Sequence, residues 1–396
     1  MDPLGPEHVE PRPPTAPISS VKLPSIVGAV NGDPFGEGTF SSCSLPLFRA
    51  LERNGSLFAA VSSRPDALAT NISRLATFSP NRERWLHKFY SSAAFREANS
   101  RAALARIARL DQSAFDTVLQ LTALFDATQV PGKVTVTYHD THYLENTNSL
   151  LPAIRLPPSH AEAIVAHERG VYERSRMLFT MSTWAADSFM RTYGLPSSKV
   201  EPVGAGSNLR FADPAFTRAE SAPEILFVGF DFLRKGGPTL LAAFERVRRA
   251  IPGAILTIAG PRSIGPVPDG VNFLGRLQRT DPKARDALSA AYRSATVFAM
   301  PSVLEPFGCV FLEAMSQKLA CIGSDAFAMP EIIEHGTTGY VVPIGDAKAL
   351  AERLIELLAD PRAAREMGER GYARALERYT WDGTAARIAA RVADLV

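Results

Sequence analysis

The chain has 396 residues, of which 46% are hydrophobic and 21% charged, with a formal net charge of +2. This length exceeds what one ordinary hydrophobic core accommodates, so we expect two domains. The near-neutral charge and three scattered cysteines, Cys43, Cys309 and Cys321, give no reason to expect nucleic-acid binding, a disulfide framework or a zinc site.

Residues 1–21 are rich in proline and poor in apolar side chains, which predicts a disordered leader. They lack the charged n-region and apolar h-region of a signal peptide. No apolar run of the chain reaches transmembrane length. Together with the few cysteines, this favours a cytoplasmic location.

The first predicted strand, residues 25–30, is followed by a glycine-rich turn and a helix over residues 41–53. This order is half of a mononucleotide-binding unit. Gly36-Glu37-Gly38 is similar to the dinucleotide fingerprint, but Ser41 stands where a third glycine is needed, which disfavours an NAD site. A tight turn that requires glycine is the alternative explanation for both glycines.

After a short strand over residues 59–62, a basic helical region is predicted over residues 81–110. Its apolar residues recur at three- and four-residue steps, which predicts a core-facing stripe with a solvated basic face. The alternative is contact with anionic lipid head groups or a phosphorylated acceptor. The basic residues are Arg82, Arg84, Lys88, Arg96, Arg101, Arg106 and Arg109.

Two β-branched apolar runs, residues 116–124 and 134–138, predict buried parallel strands. His139 and Asp140 follow the second run, at the edge where open α/β sheets bind ligands. A proton-transfer or hydrogen-bonding role is one interpretation, and a structural histidine is the other.

A helix over residues 158–176, a strand over 177–182 and a helix from Trp184 to Tyr193 come next. The segment between Asn208 and Pro223 is polar and irregular, which predicts a hinge. Beyond it, the strand over residues 224–229 precedes Arg234, Lys235 and two glycines. A helix over residues 238–250 and strands over 254–259 and 271–275 follow, and Arg276 and Leu277 come directly after the last of these.

The most informative stretch runs from Ala299 to Ile322. It is a strand, a loop over residues 302–308 and a helix, with Glu305 on the loop and Glu313 in the helix. Both carboxylates are expected to face one crevice at the carboxyl end of the strand.

The predicted start of that helix lies near Pro306, Phe307 and Gly308, and its free N–H groups suit a phosphate. Gly308 allows a ligand to approach the backbone. One carboxylate beside a pyrophosphate and a second one for a diol suggest a sugar nucleotide. Ordinary acidic enrichment at a helix N-terminus would explain Glu305 but not the rest of the loop.

Glu305-Pro306-Phe307-Gly308, with Glu313 completing the spacing, resembles the signature of the retaining glycosyltransferases of family 4. The resemblance implies an α/β chain of GT-B fold, with two Rossmann-like doubly wound domains facing a central cleft. It implies transfer of a hexose from a nucleotide-sugar donor to a hydroxyl acceptor, which is a glycan, a glycolipid or a small molecule.

The resemblance also implies a division of the chain. The leader, 1–21, precedes an acceptor-binding domain over 22–208. A hinge over 209–222 leads to a nucleotide-sugar-binding domain over 223–375, and a final helix over 376–396 crosses back to the first domain.

The resemblance implies roles for particular residues. Glu305, His139, Asp140 and Lys235 are the catalytic candidates, with Glu305 hydrogen-bonding the donor sugar and Lys235 reaching the pyrophosphate. Glu313 would bind the ribose diol. The remaining donor-binding candidates are the backbone of Phe307, Gly308 and Cys309, the first-loop glycines Gly36 and Gly38, and Arg234, Arg276 and Leu277.

One position departs from the family pattern. An arginine usually follows the glycine of the strand over residues 224–229, and here that position is Phe230. Whether Arg234 substitutes for the missing arginine stays open. A non-catalytic sugar-nucleotide-binding protein is therefore kept as an alternative, as is a sugar-nucleotide epimerase or hydrolase.

No Asp-rich metal clamp is present in the sequence, so we expect neither a metal ion nor a cofactor beyond the donor substrate. The family resemblance implies a front-face mechanism in which the leaving phosphate helps to deprotonate the acceptor. Peripheral contact with the inner face of a membrane is an alternative that rests on the basic helical region.

Overall fold

A computed structural model of the chain describes residues 23–148, 158–217, 222–277 and 281–396. The predicted leader and part of the predicted hinge lie outside the described residues. Within the described ranges the strands form two six-stranded sheets. Every strand pairs in parallel with its neighbours.

The first sheet has the strand order β2-β1-β3-β4-β5-β6. Its strands are β1 (Ile26–Val30), β2 (Leu57–Ser62), β3 (Thr117–Leu121), β4 (Val134–His139), β5 (Met177–Thr180) and β6 (Val200–Pro202). Its helices are α1 (Ser44–Arg53), α2 (Ala67–Ala76), α3 (Arg82–Ser91), α4 (Ala93–Ile107), α5 (Tyr143–Asn148), α6 (Pro158–Arg174) and α7 (Thr183–Tyr193).

The second sheet has the strand order β12-β11-β10-β7-β8-β9. Its strands are β7 (Glu224–Val228), β8 (Ile255–Ala259), β9 (Val271–Gly275), β10 (Val297–Met300), β11 (Ala320–Ser324) and β12 (Gly339–Val342). Its helices are α8 (Gly237–Ala250), α9 (Pro282–Ser294), α10 (Cys309–Ser316), α11 (Met329–Ile332), α12 (Ala347–Ala359), α13 (Pro361–Arg378) and α14 (Trp381–Ala393).

Both sheets are doubly wound around an inner strand. In the first sheet the strand order reverses beside β1, and in the second it reverses beside β7. Every residue of β1, β3 and β10 is buried, as expected for parallel strands covered on both faces. The predicted fold class, two Rossmann-like doubly wound units, is confirmed. Ligand sites are expected at the carboxyl edges, next to the reversals.

Local backbone chemistry shortens or divides three predicted elements. The strand predicted to reach residue 124 ends at Leu121 because Thr122 has a left-handed φ of 65°. The helical region predicted over residues 81–110 is two helices, since Ser92 is extended and its hydroxyl caps α4. The helix predicted from Ser41 begins at Ser44, after a 3₁₀ turn over Thr39–Ser42.

The helices that no sequence pattern predicted include α2, α5 and α13. The last helix, α14, packs against α1 of the first sheet. There Arg53 donates to the Asp382 carboxylate at 2.6 Å, and the Trp381 indole N–H donates to Asn208 at 3.2 Å. No helix in the described part of the chain is both long and apolar enough to cross a membrane.

Candidate active site

A cavity of about 1260 Å³ lies between the carboxyl edges of the two sheets. Its first wall comes from the first sheet: the loops after β1 and β4, the junction of α3 and α4, and part of α6. Its second wall comes from the loops after β7, β9 and β10 and the start of α10. The walls meet where the two doubly wound units are expected to bind ligands.

The loops after β7 and β10 are tied together by main-chain contacts. The N–H groups of Val303 and Leu304 donate to the carbonyl oxygen of Arg234 at 2.9 and 3.4 Å. Gly236 has a φ of 77°, and a Cβ at this position would lie 1.8 Å from the Pro301 carbonyl oxygen. Only glycine permits this approach, and it brings Lys235 and Glu305 face to face.

Lys235 and Glu305 form an ion pair on the second wall, with side chains 12% and 10% exposed. Nη1 of Arg234 lies 3.9 Å from the same Glu305 oxygen and donates to the Leu304 carbonyl at 2.7 Å. Burial and the Arg234 guanidinium lower the pKa of Lys235, whereas contact with Glu305 favours its charged form. One carboxylate is thus held between two cations, and Nε of Arg234 also lies 3.5 Å from the Asp231 carboxylate.

The N-terminus of α10 opens onto the same cavity. Gly308 caps the helix with a φ of 90°, and a Cβ there would lie 2.8 Å from the Phe311 ring. The N–H groups of Cys309 and Val310, in the first turn, have no partner within the helix and lie at the cavity. This end of the helix therefore suits a phosphate.

Glu313 projects from α10 into the cavity and is 1% exposed. The Tyr292 hydroxyl donates to its Oε2 atom at 3.1 Å. Tyr292 is itself fully buried and stacks on Phe298 with ring centroids 6.3 Å apart. The carboxylate is therefore held in one orientation before any ligand binds.

His139 and Asp140 lie on the first wall, at the end of β4. The His139 ring packs between Tyr172 and Phe189, each with ring centroids 5.2 Å away, and its Nε2 atom has no hydrogen-bond partner among the described residues. Burial lowers the pKa of His139 to about 3, so the imidazole is neutral. Burial raises the pKa of Asp140 to about 6.

Residues 210–374 match the family described as glycosyl transferases group 1. Over 250 residues the chain is 30% identical to alpha-maltose-1-phosphate synthase of Mycolicibacterium smegmatis. The aligned segment covers 54% of this chain and 62% of that protein. Over 239 residues it is 30% identical to the GDP-mannose-dependent alpha-(1-6)-phosphatidylinositol monomannoside mannosyltransferase of Mycobacterium tuberculosis, covering 53% and 59%. The chain is therefore similar to glycosyltransferases of family 4.

The matched segments span about three fifths of these relatives, 62% and 59% of their lengths. Solved structures cover more of the chain. Sucrose-phosphate synthase from Thermosynechococcus elongatus superposes with a TM-score of 0.69 at 20% identity, over 94% of this chain and 99% of that one. HepE from Anabaena, solved with UDP and glucose, gives a TM-score of 0.61 at 14% identity, over 94% and 99%. These likenesses show the GT-B fold.

The position at which the chain departs from the pattern of the family that it resembles lies on the second wall. Phe230 is 64% exposed and lines the cavity. The Arg276 guanidinium lies 5.3 Å from the centre of its ring, and Leu277 lines the cavity beside it. The missing arginine is thus replaced by an aromatic ring with a guanidinium from the loop after β9 against it.

The loop after β1 reaches the cavity through a strained segment. Gly38 lines the cavity, whereas Gly36 does not, so the two first-loop candidates are separated. Phe40, Ser41 and Ser42 have φ values of 48°, 54° and 68°, a conformation that costs energy in residues other than glycine. Their backbone turn sets the first wall opposite α10.

The two walls also touch through a pair of thiols. Sγ of Cys43, on the first wall, lies 3.6 Å from Sγ of Cys309, the first residue of α10. This contact and burial raise the pKa of the Cys309 thiol. The start of α10 is therefore packed directly against the first-domain loop.

Sequence reasoning missed a polar cluster on the first wall. Glu168 of α6 accepts from the Tyr143 N–H at 3.2 Å and from the Tyr193 hydroxyl, and burial raises its pKa to about 7. Nε2 of His142 lies 3.0 Å from the Ser188 hydroxyl, and burial lowers the pKa of His142 to about 4. These residues are brought together by tertiary packing, so their spacing in the sequence does not predict that they form a cluster.

The predicted solvated basic face is wrong at Arg96. This residue is 6% exposed, lines the cavity, and its Nη1 atom donates to the Ser91 carbonyl at 2.7 Å. Arg106 is also engaged, donating to the Ser62 carbonyl at 2.6 Å. Lys88, Arg101 and Arg109 are exposed as predicted, and the side chains of Arg82 and Arg84 lie outside the description.

Proposed function

We propose that this protein transfers a hexose, with retention of configuration at the anomeric carbon, from a nucleotide-sugar to a hydroxyl acceptor. The observation that carries this proposal is the grouping of Lys235, Glu305 and Glu313 around the N-terminus of α10. A cation, a helix N-terminus and two carboxylates on one wall match the parts of a nucleotide-sugar: a diphosphate, a sugar and a ribose.

The diphosphate would bind Lys235 and the free N–H groups of Phe307, Gly308 and Cys309. In the unliganded protein Lys235 is paired with Glu305. A diphosphate that competes for Lys235 releases the Glu305 carboxylate, which can then accept hydrogen bonds from the hydroxyls of the donor sugar. Donor binding thereby prepares the site for the sugar.

Glu313 would accept both hydroxyls of the ribose, as its two oxygens permit. The Tyr292 hydroxyl already holds one oxygen in place, so the carboxylate loses little freedom on binding. Arg276 and Leu277, beside the exposed ring of Phe230, would lie against the base. Arg234, held by the Leu304 carbonyl, would add positive charge near the diphosphate.

In the reaction, the bond between the anomeric carbon and the diphosphate oxygen breaks, and the acceptor oxygen bonds to that carbon from the same face. The acceptor proton passes to the departing diphosphate. Lys235, Arg234 and the N-terminus of α10 would stabilise the charge that develops on the leaving group. This positive charge supports our proposal that the reaction needs neither a metal ion nor a cofactor.

On the first wall, the roles of His139 and Asp140 differ. With a pKa of about 3 the His139 imidazole is a poor base at neutral pH, so we assign it hydrogen bonding to the sugar or the acceptor. With a pKa of about 6 Asp140 is mostly ionised at pH 7.5 and can accept from an acceptor hydroxyl. Gly38 gives the ligands room beside this wall.

The deciding experiment is a thermal-shift and turnover screen without added metal against UDP-, GDP- and ADP-sugars. The M. tuberculosis relative is named for GDP-mannose and HepE was solved with UDP and glucose, so both nucleotides belong in the panel. Wild type is compared with Glu313→Ala and with Glu377→Ala, a control at a side chain that is 74% exposed.

Stabilisation by one class of nucleotide, lost only in Glu313→Ala, is the expected result, together with slow release of free nucleotide. No stabilisation by any donor would overturn the proposal. Donor consumption that never depends on an acceptor would indicate the epimerase or hydrolase. Tight donor binding without turnover would indicate the non-catalytic alternative, for which Phe230 is the structural reason.

We also propose a cytoplasmic protein in peripheral contact with a membrane. Support comes from α2 and the turn after it, where Leu75 and Phe78 are 75% and 64% exposed. Arg74 is exposed beside them, and Tyr90, at the far end of α3, is half-exposed and lines the cavity. Exposed apolar side chains beside a cation suit an anionic lipid surface.

A further inference from the structure

The first wall of the cavity carries a buried cation, Arg96, that pairs with no carboxylate of the described ranges. Arg96 is 6% exposed, although it lines the cavity. Its guanidinium has five N–H donors. Within the described residues, Nη1 donates to the Ser91 carbonyl at 2.7 Å. Among the described residues, no carboxylate oxygen lies within 4.0 Å of its nitrogens.

Such a charge is costly in a folded protein. A buried cation is normally paired with a carboxylate and fully hydrogen-bonded, because its desolvation is not otherwise compensated. Burial lowers the pKa of Arg96, but an arginine stays protonated at neutral pH. Since Arg96 lines the cavity and the described residues supply a partner for one of its nitrogens, its other N–H donors remain for a ligand.

The carboxylates of the same wall do not supply the missing partner. Glu37, Asp140 and Glu168 all line the cavity, and Glu168 attracts Arg96 only from beyond ion-pair distance. Glu168 already accepts from the Tyr143 N–H and the Tyr193 hydroxyl. Its buried carboxyl has a pKa of about 7, so it repels an incoming anion less than an ordinary glutamate would.

The position of Arg96 separates it from the donor site. The cations Arg234, Lys235 and Arg276 belong to the second wall, whereas Arg96 is the cation that the described residues place on the first. Its neighbours there supply neutral hydroxyls, from Tyr90, Ser91 and Tyr143. This wall can therefore bind a polyhydroxylated molecule that carries one negative group.

We propose that the acceptor carries an oxyanion, a carboxylate or a phosphate, and that this group binds the Arg96 guanidinium. The planar guanidinium can hold either group through two parallel hydrogen bonds. The inference rests on the proposed function, because it names the class of acceptor for that transfer. It predicts that neutral sugars are poor acceptors compared with acidic or phosphorylated sugars of the same shape.

Three probes with one hydroxyl framework test it: glucose, glucuronate and glucose 6-phosphate. Each is titrated calorimetrically into the full chain at fixed ionic strength, with the second wall occupied by saturating UDP or GDP. At least one charged probe should bind about tenfold more tightly than glucose, since about 1.4 kcal/mol corresponds to that factor. If only glucuronate binds more tightly than glucose, the acceptor group is a carboxylate. If only glucose 6-phosphate does so, it is a phosphate.

The variants assign the preference to a residue. Arg96→Gln should abolish the preference for the charged probes over glucose, while Arg96→Lys should keep part of this preference. Arg101→Gln is the matched control, because Arg101 lies on the same helix but is exposed. If Arg96→Gln does not fold, the affinities of wild type and of Arg96→Lys for the three probes still test whether the negative group binds Arg96.

Equal binding of the three probes, or no binding of either charged probe, would overturn the inference. So would a preference that persists in Arg96→Gln or disappears in Lys235→Gln alone. Donor turnover measured on the same samples separates the two proposals. Turnover without an anion preference overturns only this inference, and an Arg96-dependent preference without turnover overturns only the proposed transfer.

Discussion

Lys235 and Glu305, 70 positions apart in the chain, form an ion pair on the wall of the cavity between the two sheets. The pair exists because β7 and β10 are parallel neighbours whose loops leave the same edge of the sheet. In the free protein each of the two charged groups is thus paired with the other. Each partner is therefore expected to affect the other when it is replaced.

Replacing Glu305 should separate binding from catalysis. Glu305→Gln removes the carboxylate that we assign to the donor sugar but frees Lys235 for the diphosphate. We expect kcat to fall by about 100-fold or more, as for loss of a group acting on the transition state. Nucleoside diphosphate affinity, measured by calorimetry, should stay equal or increase. Weaker nucleotide binding would show that Glu305 does not compete for Lys235.

Replacing Lys235 should weaken nucleotide binding, in contrast to replacing Glu305. Lys235→Gln should weaken binding of the nucleoside diphosphate by about 10-fold or more, the effect of losing a charge-assisted contact, and leave the nucleoside itself unaffected. Lys348→Gln is the control, since that side chain is 75% exposed on α12. Equal losses for the nucleoside and its diphosphate would place the phosphates elsewhere.

These two residues also show what the sequence alone could predict. Glu305, Gly308 and Glu313 lie in one continuous strand, loop and helix, so their spacing already places them at one edge of a sheet. The two-domain α/β fold follows from the same kind of local pattern, repeated along the chain. Lys235 was predicted from the family resemblance, and its contact with Glu305 follows from the parallel pairing of β7 and β10.

Arg96 and Tyr292 could not be predicted in this way. Each lies on a helix whose local pattern indicates an ordinary surface or core position. Arg96 reaches the cavity, and Tyr292 reaches Glu313, only through packing between distant elements. Thr122 is a similar case in the backbone, because nothing in its sequence context signals the left-handed φ of 65° that ends β3. Local patterns predict elements and edges, but long-range packing decides which helix side chains join the site.

Tyr292→Phe tests the support of Glu313. The substitution removes one hydroxyl and leaves the ring stacked on Phe298. We expect donor affinity to fall by about 10-fold or more, since one hydrogen bond to a charged group contributes about 1.5–3 kcal/mol, while kcat changes little. The measurement is donor KM alongside the affinity for ribo- and 2′-deoxyribonucleotides. A variant that keeps the full preference for ribose would show that Glu313 needs no support from Tyr292.

The buried carboxyl of Glu168 should make stability depend on pH. Its folded pKa of about 7 lies above its ordinary value, so between roughly pH 4.5 and pH 7 the folded state binds the proton more strongly than the unfolded state. Lowering the pH through this window therefore stabilises the fold. Glu168→Gln, which cannot ionise, should melt higher than wild type at pH 8, and the difference should shrink towards pH 5.

Three buried histidines have the opposite effect on stability as the pH falls. The effect of Glu168 must therefore be measured as the difference between wild type and Glu168→Gln. Burial lowers the pKa values of His139, His142 and His167 to about 3, 4 and 4. Below about pH 6.5 these histidines are protonated in the unfolded state but stay neutral in the folded state. This difference lowers the melting temperature of wild type and of Glu168→Gln equally. A difference between wild type and Glu168→Gln that is constant with pH would contradict the raised pKa of Glu168.

Gly236→Ala tests whether close main-chain approach assembles the donor site. The new Cβ would lie 1.8 Å from the Pro301 carbonyl oxygen, so the loops after β7 and β10 must separate. Gly345→Ala is a matched control, because Gly345 has a φ of 78° and no atom within 4 Å of the added carbon. The control should cost only the left-handed strain of about 1 kcal/mol.

Gly236→Ala should cost about 3 kcal/mol or more, because backbone strain and a steric clash add. It should also weaken nucleoside diphosphate binding, since Lys235 and Glu305 are then displaced from one another. The measurements are melting temperature and calorimetric affinity for the two variants and wild type. Equal destabilisation of the two variants, with unchanged affinity in Gly236→Ala, would show that the contact between Gly236 and Pro301 does not hold the donor site together.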